Sequence, residues 1–186
     1  MDMKLIKPSL KYYSQYYASF KHLLSKDLVD APFGMDPLRV SPQTFLSFLD
    51  EIKTEKGALK YENGAMIPST TLWLIDNNSF VGQINIRHYL NDTLKQYGGH
   101  IGYFIREDAW GNGYGTKMFN LAIKYIKEHL PSIDALLLTI NEENNRSRGV
   151  AENNGGHCLS FKPQTVHGKH RVTCYYWIDL RIKSKE

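Results

Sequence analysis

The sequence predicts a mixed α/β fold: a mostly antiparallel central sheet whose second half is a parallel strand–helix–strand unit, with helices on both faces. Three observations carry this prediction. Strand-like runs with a period of two fill the middle of the chain. Apolar residues recur at helical spacing before and after those runs. The 186 residues, 42% of them apolar, are enough for one domain with a substantial core.

The N-terminal part of the chain predicts one short strand and two helices. The strand is expected at 3–6, and the first helix at 10–24, where aromatic residues and leucines recur every three or four positions. Ser41 followed by Pro42 is typical of a helix cap and first helical residue, so a second helix is expected to begin there. Polar connections containing glycine or proline are expected at 30–40 and 56–69.

The middle of the chain predicts a hairpin and a third strand. The runs 71–75 and 80–86 are separated by Asp-Asn-Asn-Ser at 76–79, which favours a tight turn. The third strand is expected at 100–106, after the break at Gly98 and Gly99.

The last third of the chain alternates strands and helices. Apolar residues between Met118 and His129 follow helical spacing, and Pro131 ends that helix. The apolar run 135–140 is typical of a buried parallel strand. A short helix and a closing antiparallel pair are then expected at 147–153, 157–161 and 171–180.

Charge and composition narrow the function classes. The formal net charge is +4, and lysines and arginines are dispersed, which fits a polyphosphorylated ligand or nucleic acid without selecting either. No apolar run approaches a membrane span, and the N-terminus lacks the apolar core of a secretion signal. Two cysteines, Cys158 and Cys174, are too few for a disulfide scaffold. We therefore expect a cytoplasmic protein without membrane contact, and nucleic acid is not a favoured partner.

The most informative segment lies between the third strand and the long helix. It holds three glycines in five residues, Gly111, Gly113 and Gly115. Glycine lets the backbone turn sharply and present N–H groups, and the helix start adds unsatisfied N–H groups with a positive dipole end. The segment is therefore a candidate phosphate cradle, the alternative being a plain turn before a helix.

Two common nucleotide motifs do not fit this segment. Counted from Gly111, the sixth position of a dinucleotide-binding fingerprint is Thr116 rather than glycine. A P-loop requires Gly-Lys followed by serine or threonine, a triplet that the sequence lacks.

Two ordered blocks resemble the GCN5-related N-acetyltransferase (GNAT) superfamily. Residues 110–116, Trp-Gly-Asn-Gly-Tyr-Gly-Thr, resemble its acyl-CoA pyrophosphate loop, commonly Gln/Arg-x-x-Gly-x-Gly/Ala, with Trp110 in place of the usual first residue. Residues 144–156 are similar to its Asn-x-x-Ser/Ala…Glu-x-x-Gly segment. The resemblance extends over 68–177 and is closest to a bacterial subgroup of predicted acetyltransferases.

The resemblance implies a domain plan and a ligand. It implies a single acetyltransferase domain over 1–186, with acceptor-side helices at about 8–60 and an acetyl-CoA-binding core at about 68–180. Acetyl-CoA would be the co-substrate, with no metal. Backbone groups of Phe104, Ile105 and Arg106 would pair with the pantetheine arm, and Asn144 and Ser147 would bond the pantetheine or phosphate, unless they only cap a helix. The pyrophosphate would be held by N–H groups of Gly111, Asn112, Gly113, Tyr114, Gly115 and Thr116.

The implied reaction moves an acetyl group to an amine by direct attack in a ternary complex. Because a lysine-type amine has a pKa of about 10.4, a general base assists at neutral pH. The candidates are His100, at the start of the third strand, and His88, near the end of the preceding one; each also suits a purely structural role. The tyrosine that often serves as general acid in the family is Ala151 here. This leaves Tyr175, Tyr176 or water as the acid, or a thiolate release that needs no specific acid.

Several alternatives stay open. Ala151 favours a non-catalytic acyl-CoA-binding or sensing domain as the rival function. His167 and His170 form a pair without the further spacing of a metal site, and a polar loop is expected there. The clustered tyrosines of the first helix are expected mainly to pack, although they also suit an acceptor wall. The acceptor's identity and the oligomeric state, a homodimer included, are left undetermined.

Overall fold

The computed structural model describes residues 2–29, 34–61, 66–166 and 168–181. The strands are β1 Lys4–Ile6, β2 Ser69–Asp76, β3 Ser79–Arg87, β4 Ile101–Ile105, β5 Ala135–Asn141, β6 His157–Val166 and β7 Lys169–Asp179. The α-helices are α1 Leu10–Ser25, α2 Pro42–Glu51, α3 Glu55–Ala58, α4 Asp92–Gln96, α5 Tyr114–His129 and α6 Asn145–Asn153. This mixture of strands and helices confirms the α/β class. Over the described ranges, no helix combines the length and apolarity that crossing a membrane requires.

The strands form two sheets, one in the order β1-β2-β3-β4 and one in the order β5-β7-β6. β1 pairs with β2, β2 with β3, and β7 with both β5 and β6, in every case antiparallel. The strand–helix–strand unit is present as β4–α5–β5, but β4 and β5 belong to different sheets. The expected parallel pairing of 135–140 is therefore corrected to an antiparallel pairing with β7. The apolar composition of β5 reflects the burial of residues such as Leu136 and Leu138. A buried strand is apolar whether its pairing is parallel or antiparallel.

The chain divides into two compact units, Met1–Arg87 with Tyr103–Tyr114, and His88–Gly102 with Gly115–Glu186. In the first unit, β2 and β3 form the predicted hairpin. Its turn residues Asn77 and Asn78 have φ values of 45° and 60°. Two consecutive left-handed residues are the geometry of a type I′ turn, which asparagine tolerates better than most residues.

An aromatic core fills the first unit. Tyr16 is 1% exposed and stacks on Trp73, with ring centroids 4.8 Å apart. Tyr12 and Tyr13 are buried as well. Helix packing is therefore confirmed as the role of these three tyrosines.

The second unit buries the apolar stripe of α5 that the sequence predicted. Met118, Phe119, Ala122 and Ile126 are its buried residues. In the sheet of this unit, the side chain of Cys174 is buried, and burial raises the pKa of its thiol. A raised pKa makes a thiol a poor nucleophile.

Two short helices were missed by the sequence analysis. α3 lies in the stretch expected to be a polar connection, and the Thr54 side chain caps it by accepting a hydrogen bond from the Gly57 N–H. Asn91 caps α4 in the same way, through the Leu94 N–H. Helices of four or five residues are too short to show apolar periodicity. Parts of the two expected connections, 30–33 and 62–65, lie outside the described residues.

Candidate functional site

The glycine segment forms an exposed turn that leads into α5. Gly111 and Gly113 have φ values of 78° and 73°, in the left-handed region that side chains disfavour. A Cβ placed at either glycine would meet no atom within 4 Å. The backbone of this turn therefore borders open space directly before a helix start, where unsatisfied N–H groups can bind an anion.

Side-chain hydrogen bonds fix the approach to this turn. The Trp110 indole Nε1 donates to the Ile105 carbonyl oxygen at 2.8 Å. The Asn112 amide donates to the carbonyl oxygens of Ala109 and Trp110, at 3.3 and 3.1 Å. Trp110 is also partly buried against the aromatic core. Trp110, which stands where the resembling motif commonly has Gln or Arg, therefore links the loop to the end of β4 by a hydrogen bond.

β4 is the terminal strand of its sheet, and its backbone groups alternate between the β3 side and the outer edge. The Arg106 N–H donates to the Val81 carbonyl at 2.9 Å, so Arg106 faces β3. The Phe104 carbonyl oxygen lies only 2.5 Å from the position of a Cβ on Gly82, again on the β3 side. Because the pattern alternates, Ile105 faces the outer edge. Of the three residues expected to pair with pantetheine, this geometry therefore favours Ile105, whereas Phe104 and Arg106 face β3.

Tyr114, the first residue of α5, forms a hydrogen bond with the carboxylate of Asp76. The Tyr114 hydroxyl donates to Asp76 Oδ2 at 2.8 Å, and Asp76 is 5% exposed. Hydrogen bonding to Asp76 and burial raise the pKa of the Tyr114 hydroxyl. Sequence analysis did not single out Asp76, because aspartate is common at hairpin turns and its sequence context carries no further signal.

In the second unit, Asn144 caps α6. Its Oδ1 accepts a hydrogen bond from the Ser147 N–H at 3.1 Å, which is the alternative that the sequence analysis kept open. Asn144 is exposed, and Ser147 is half-buried. The cap uses the Asn144 side-chain oxygen and does not involve its amide nitrogen.

His100 is built into the backbone network. Its Nδ1 accepts a hydrogen bond from the Leu137 N–H at 3.0 Å, and its own N–H donates to the Leu137 carbonyl at 2.8 Å. An accepting ring nitrogen carries no proton, so the neutral ring carries its proton on Nε2. To accept a proton from an amine at Nε2, His100 would first have to move its own proton to Nδ1 and lose the Leu137 bond. This geometry favours a structural role. His88, the other candidate base, is half-buried just after β3.

The candidate acids are engaged in hydrogen bonds. The Tyr176 hydroxyl donates to Glu152 Oε1 at 2.6 Å and accepts from Arg148 Nε at 3.1 Å. Burial and the bond to Glu152 raise the pKa of Tyr176. Arg148 and Glu152 were not predicted, although their spacing of four residues places them on one helix face.

Three further residues considered from the sequence are Tyr175, Ala151 and His167. The Tyr175 hydroxyl donates to the Gln96 carbonyl at 2.9 Å. Ala151 is 1% exposed and packs where a Cβ on Gly156 would meet it. His167 lies outside the described residues, so the His167–His170 pair is not described.

Comparison with known proteins identifies the family. The family described as "Acetyltransferase (GNAT) domain" matches residues 31–157, more than half of the chain and parts of both units. No curated protein matches the sequence.

Solved structures share the fold at low identity. YncA from Salmonella typhimurium, solved with its cofactor acetyl-CoA, has a TM-score of 0.65 and 11% identity, with 97% of this chain and 95% of that chain covered. The microcin C7 self-immunity acetyltransferase MccE, in complex with acetyl-CoA and AMP, has a TM-score of 0.63, 16% identity and coverages of 95% and 92%. A spermidine N-acetyltransferase chimera from Vibrio cholerae and hSSAT has a TM-score of 0.63, 12% identity and coverages of 97% and 97%. With this shared fold and the matched domain, the chain belongs to the GNAT family of acetyltransferases.

Proposed function

We propose that the chain is an acetyl-CoA-dependent N-acetyltransferase that transfers an acetyl group to an amine. The observation that carries the proposal is the open turn of left-handed glycines between the terminal strand β4 and α5. The acetyl-CoA named for YncA and MccE supports the choice of ligand. The amine acceptor rests on the resemblance and on the spermidine N-acetyltransferase among the structures of similar fold.

The proposed cofactor contacts are mostly backbone groups. N–H groups from Gly111 to Thr116 would bind the pyrophosphate, because the start of α5 supplies unsatisfied N–H groups and a positive dipole end. The outer edge of β4 at Ile105 would pair with the pantetheine arm like an added strand. Asn144, through its amide nitrogen, and Ser147 would add polar contacts.

The chemistry proposed for the chain is positioning and proton transfer. The amine nitrogen forms a bond to the acetyl carbon while the carbon–sulfur bond breaks, and the leaving thiolate then takes up a proton. Because no covalent enzyme intermediate is needed, most of the rate would come from holding the two reactants together. A backbone N–H of β4 would stabilise the oxyanion.

For the general base, His88 is now the first candidate and His100 the second, because the Leu137 bond occupies Nδ1 of His100. Tyr176, like any tyrosine with a pKa of about 10 or above, holds its proton at neutral pH, but its hydroxyl already donates to Glu152. We therefore propose water as the acid that protonates the thiolate.

A non-catalytic acyl-CoA-binding domain is the second candidate function. Ala151, at the position where the family often carries its tyrosine, is buried and has no group that donates a proton. Binding and turnover must therefore be measured separately.

The first experiment tests the loop by calorimetry with acetyl-CoA. Gly113→Asp introduces a negative charge and a Cβ at a left-handed position, and acetyl-CoA binding should fall by more than about tenfold. The matched control is Gly168→Asp, which has a φ of 76° and equally open surroundings at the β6–β7 turn. The control should bind acetyl-CoA as the parent protein does. Equal affinity of a folded Gly113→Asp protein and the parent would remove this loop from the site.

The second experiment separates the two candidate functions. Release of free CoA thiol is followed with polyamines, amino-acid amides, peptides and aminoglycosides as acceptors. Turnover with any amine, and acetylation of its nitrogen shown by mass spectrometry, supports the transferase. Tight acetyl-CoA binding without turnover across the whole panel favours the binding domain.

A further inference from the structure

Asp76 is a buried carboxylate that the turn chemistry alone does not explain. It ends β2 and is 5% exposed. Its Oδ2 accepts the Tyr114 hydroxyl, whereas Oδ1 is buried and has no hydrogen-bond partner within the part of the chain that the structure describes. Burying a carboxylate with one oxygen unsatisfied is unfavourable, so this position is expected to serve a purpose other than stability.

The partner of Asp76 is the residue between two loop glycines. Tyr114 opens α5 and follows Gly113, which has no side chain that could fix the backbone. The hydrogen bond of the Tyr114 hydroxyl to Asp76 therefore fixes the loop at the first residue of α5. A tyrosine hydroxyl, with an ordinary pKa of about 10, is protonated at neutral pH and can donate, and the bond to Asp76 raises that pKa further.

Asp76, the acceptor of the Tyr114 hydroxyl, lies at the turn of the β2–β3 hairpin, and hydrogen bonds connect this hairpin to α1. Asp76 pairs with Ser79 across the turn, and the Asn78 side chain in the turn accepts a hydrogen bond from the Tyr12 hydroxyl at 2.9 Å. The Phe80 N–H donates to Gln15 of the same helix at 2.8 Å. Both contacts join the hairpin to α1, so hydrogen bonds to a helix hold the turn next to Asp76.

Asp76 could act on the loop through its negative charge or as a hydrogen-bond acceptor. The charge does not suit a loop that binds an anion. A negative charge close to the loop opposes binding of pyrophosphate, whereas a hydrogen-bond acceptor at the same place orders the loop. Arg106 lies close enough to lower the pKa of Tyr114 slightly, so a cation shares this region. The acceptor role of Asp76, and not its charge, is then the useful property.

We propose that Asp76 is a positioning residue for acetyl-CoA binding, acting through the Tyr114 hydroxyl to fix the glycine loop at the start of α5. This inference rests on the proposed function, and it adds a residue outside the two sequence blocks that resemble the family.

The experiment compares four single variants by acetyl-CoA calorimetry and steady-state kinetics. Tyr114→Phe and Asp76→Ala remove the hydrogen bond and should raise the Kd and KM for acetyl-CoA by about three- to tenfold, with kcat within about twofold. Asp76→Asn keeps an acceptor without the charge and should bind acetyl-CoA at least as tightly as the parent protein. The matched control, Tyr61→Phe, removes a tyrosine hydroxyl that donates to a different carboxylate, Glu51 Oε2 at 2.7 Å, and should leave the Kd unchanged.

A truncated substrate shows whether the effect passes through the pyrophosphate. S-acetylpantetheine lacks the pyrophosphate, so its KM should be the same in the Tyr114→Phe and parent proteins. If the buried carboxylate prevents folding of Tyr114→Phe, the double variant Asp76→Leu/Tyr114→Phe removes both polar groups and should show the same loss of acetyl-CoA affinity.

Two results would overturn the positioning role: an unchanged Kd in both Tyr114→Phe and the double variant, or an Asp76→Asn protein as impaired as Asp76→Ala. Either result leaves the proposed function intact, provided that the parent protein binds acetyl-CoA. If the parent protein itself fails to bind acetyl-CoA, the proposed function and the positioning role both fall.

Discussion

His100 and Leu137 exchange two hydrogen bonds, one through the imidazole of His100 and one through its backbone. Leu137 N–H donates to His100 Nδ1 at 3.0 Å, and His100 N–H donates to the Leu137 carbonyl at 2.8 Å. The imidazole thus accepts the bond that a neighbouring strand's carbonyl would normally accept. Beside it, a Cβ on Gly99 would lie 2.4 Å from the same Leu137 carbonyl. The sequence signal that marked His100 as a candidate base therefore has a structural explanation.

Two substitutions separate the structural role of His100 from catalysis. In His100→Asn the amide oxygen can take the position of Nδ1, whereas in His100→Gln the amide lies nearer the position of Nε2. We expect His100→Gln to lower the unfolding free energy by about 1 kcal/mol and His100→Asn to lower it less. Urea unfolding measures both effects. If His100 were the base instead, both variants would lose about 10² to 10⁴ in turnover regardless of stability.

His88→Gln is the companion prediction for catalysis. If His88 is the base, turnover should fall by about 10² to 10⁴ while the calorimetric Kd for acetyl-CoA stays within about twofold. The acidic limb of the pH–rate profile should also disappear or move. Normal turnover with an unchanged profile would show that the amine loses its proton to a water chain, to His100 or before it binds.

Asn144 is expected to have two roles that different substitutions can separate. Asn144→Ala removes the α6 cap and should lower stability by about 1 kcal/mol and weaken acetyl-CoA binding, by roughly 0.5–1.5 kcal/mol. Asn144→Asp keeps an acceptor for the Ser147 N–H but loses the amide donor, so stability should be retained while acetyl-CoA binding weakens. Thermal unfolding and calorimetry report the two quantities.

The control for Asn144 is Asn91→Ala, which removes a cap of the same geometry from α4. It should affect stability and leave the acetyl-CoA Kd unchanged. If the Asn144 variants behave in the same way as this control, Asn144 is a capping residue only.

Gly82 should be sensitive to any side chain because two strands approach closely there. A Cβ at Gly82 would lie 2.5 Å from the Phe104 carbonyl oxygen, so Gly82→Ala should lower the unfolding free energy by about 1–3 kcal/mol. Gly149, inside α6, has no atom within 4 Å of a Cβ. Gly149→Ala should therefore raise stability by about 0.5–1 kcal/mol, and denaturant unfolding should give the two variants opposite signs.

Glu107 joins the turn before the glycine loop to α1. Its Oε2 lies 2.6 Å from Lys26 Nζ and 2.5 Å from His22 Nε2. The hydrogen bonds from Lys26 and then His22 lower the pKa of Glu107. A lowered folded-state pKa means that the contribution to stability is present above the unfolded-state pKa of about 4.3 and is lost as the pH falls through the lowered value.

Glu107→Gln tests this linkage. The variant should unfold about 1–3 °C below the parent protein at pH 7, and the difference should shrink as the pH is lowered below about 4. Calorimetric melting at several pH values measures it. A difference that grows in acid would contradict the assignment.

Local sequence rules predicted the elements whose signals are local. The period of α1 and α5, the cap at Ser41 and the turn at Asn77 and Asn78 follow from neighbouring residues, and the structure contains all of them. The glycine loop was found in the same way, because its left-handed backbone demands glycine. The order of the two blocks, 110–116 before 144–156, was enough to predict the family to which the chain belongs.

Long-range pairing decided what these signals leave open. The apolar run of β5 is compatible with either kind of pairing, and only the tertiary structure shows its antiparallel bonds to β7. The partners of Asp76 and His100 lie 38 and 37 positions along the chain, at distances over which sequence patterns carry no information about contact. From the sequence alone, Asp76 fits a simple turn residue as well as an anchoring residue, and His100 fits a catalytic base as well as a structural histidine. Only the folded chain shows that one carboxylate anchors the loop tyrosine and that one imidazole accepts a backbone N–H.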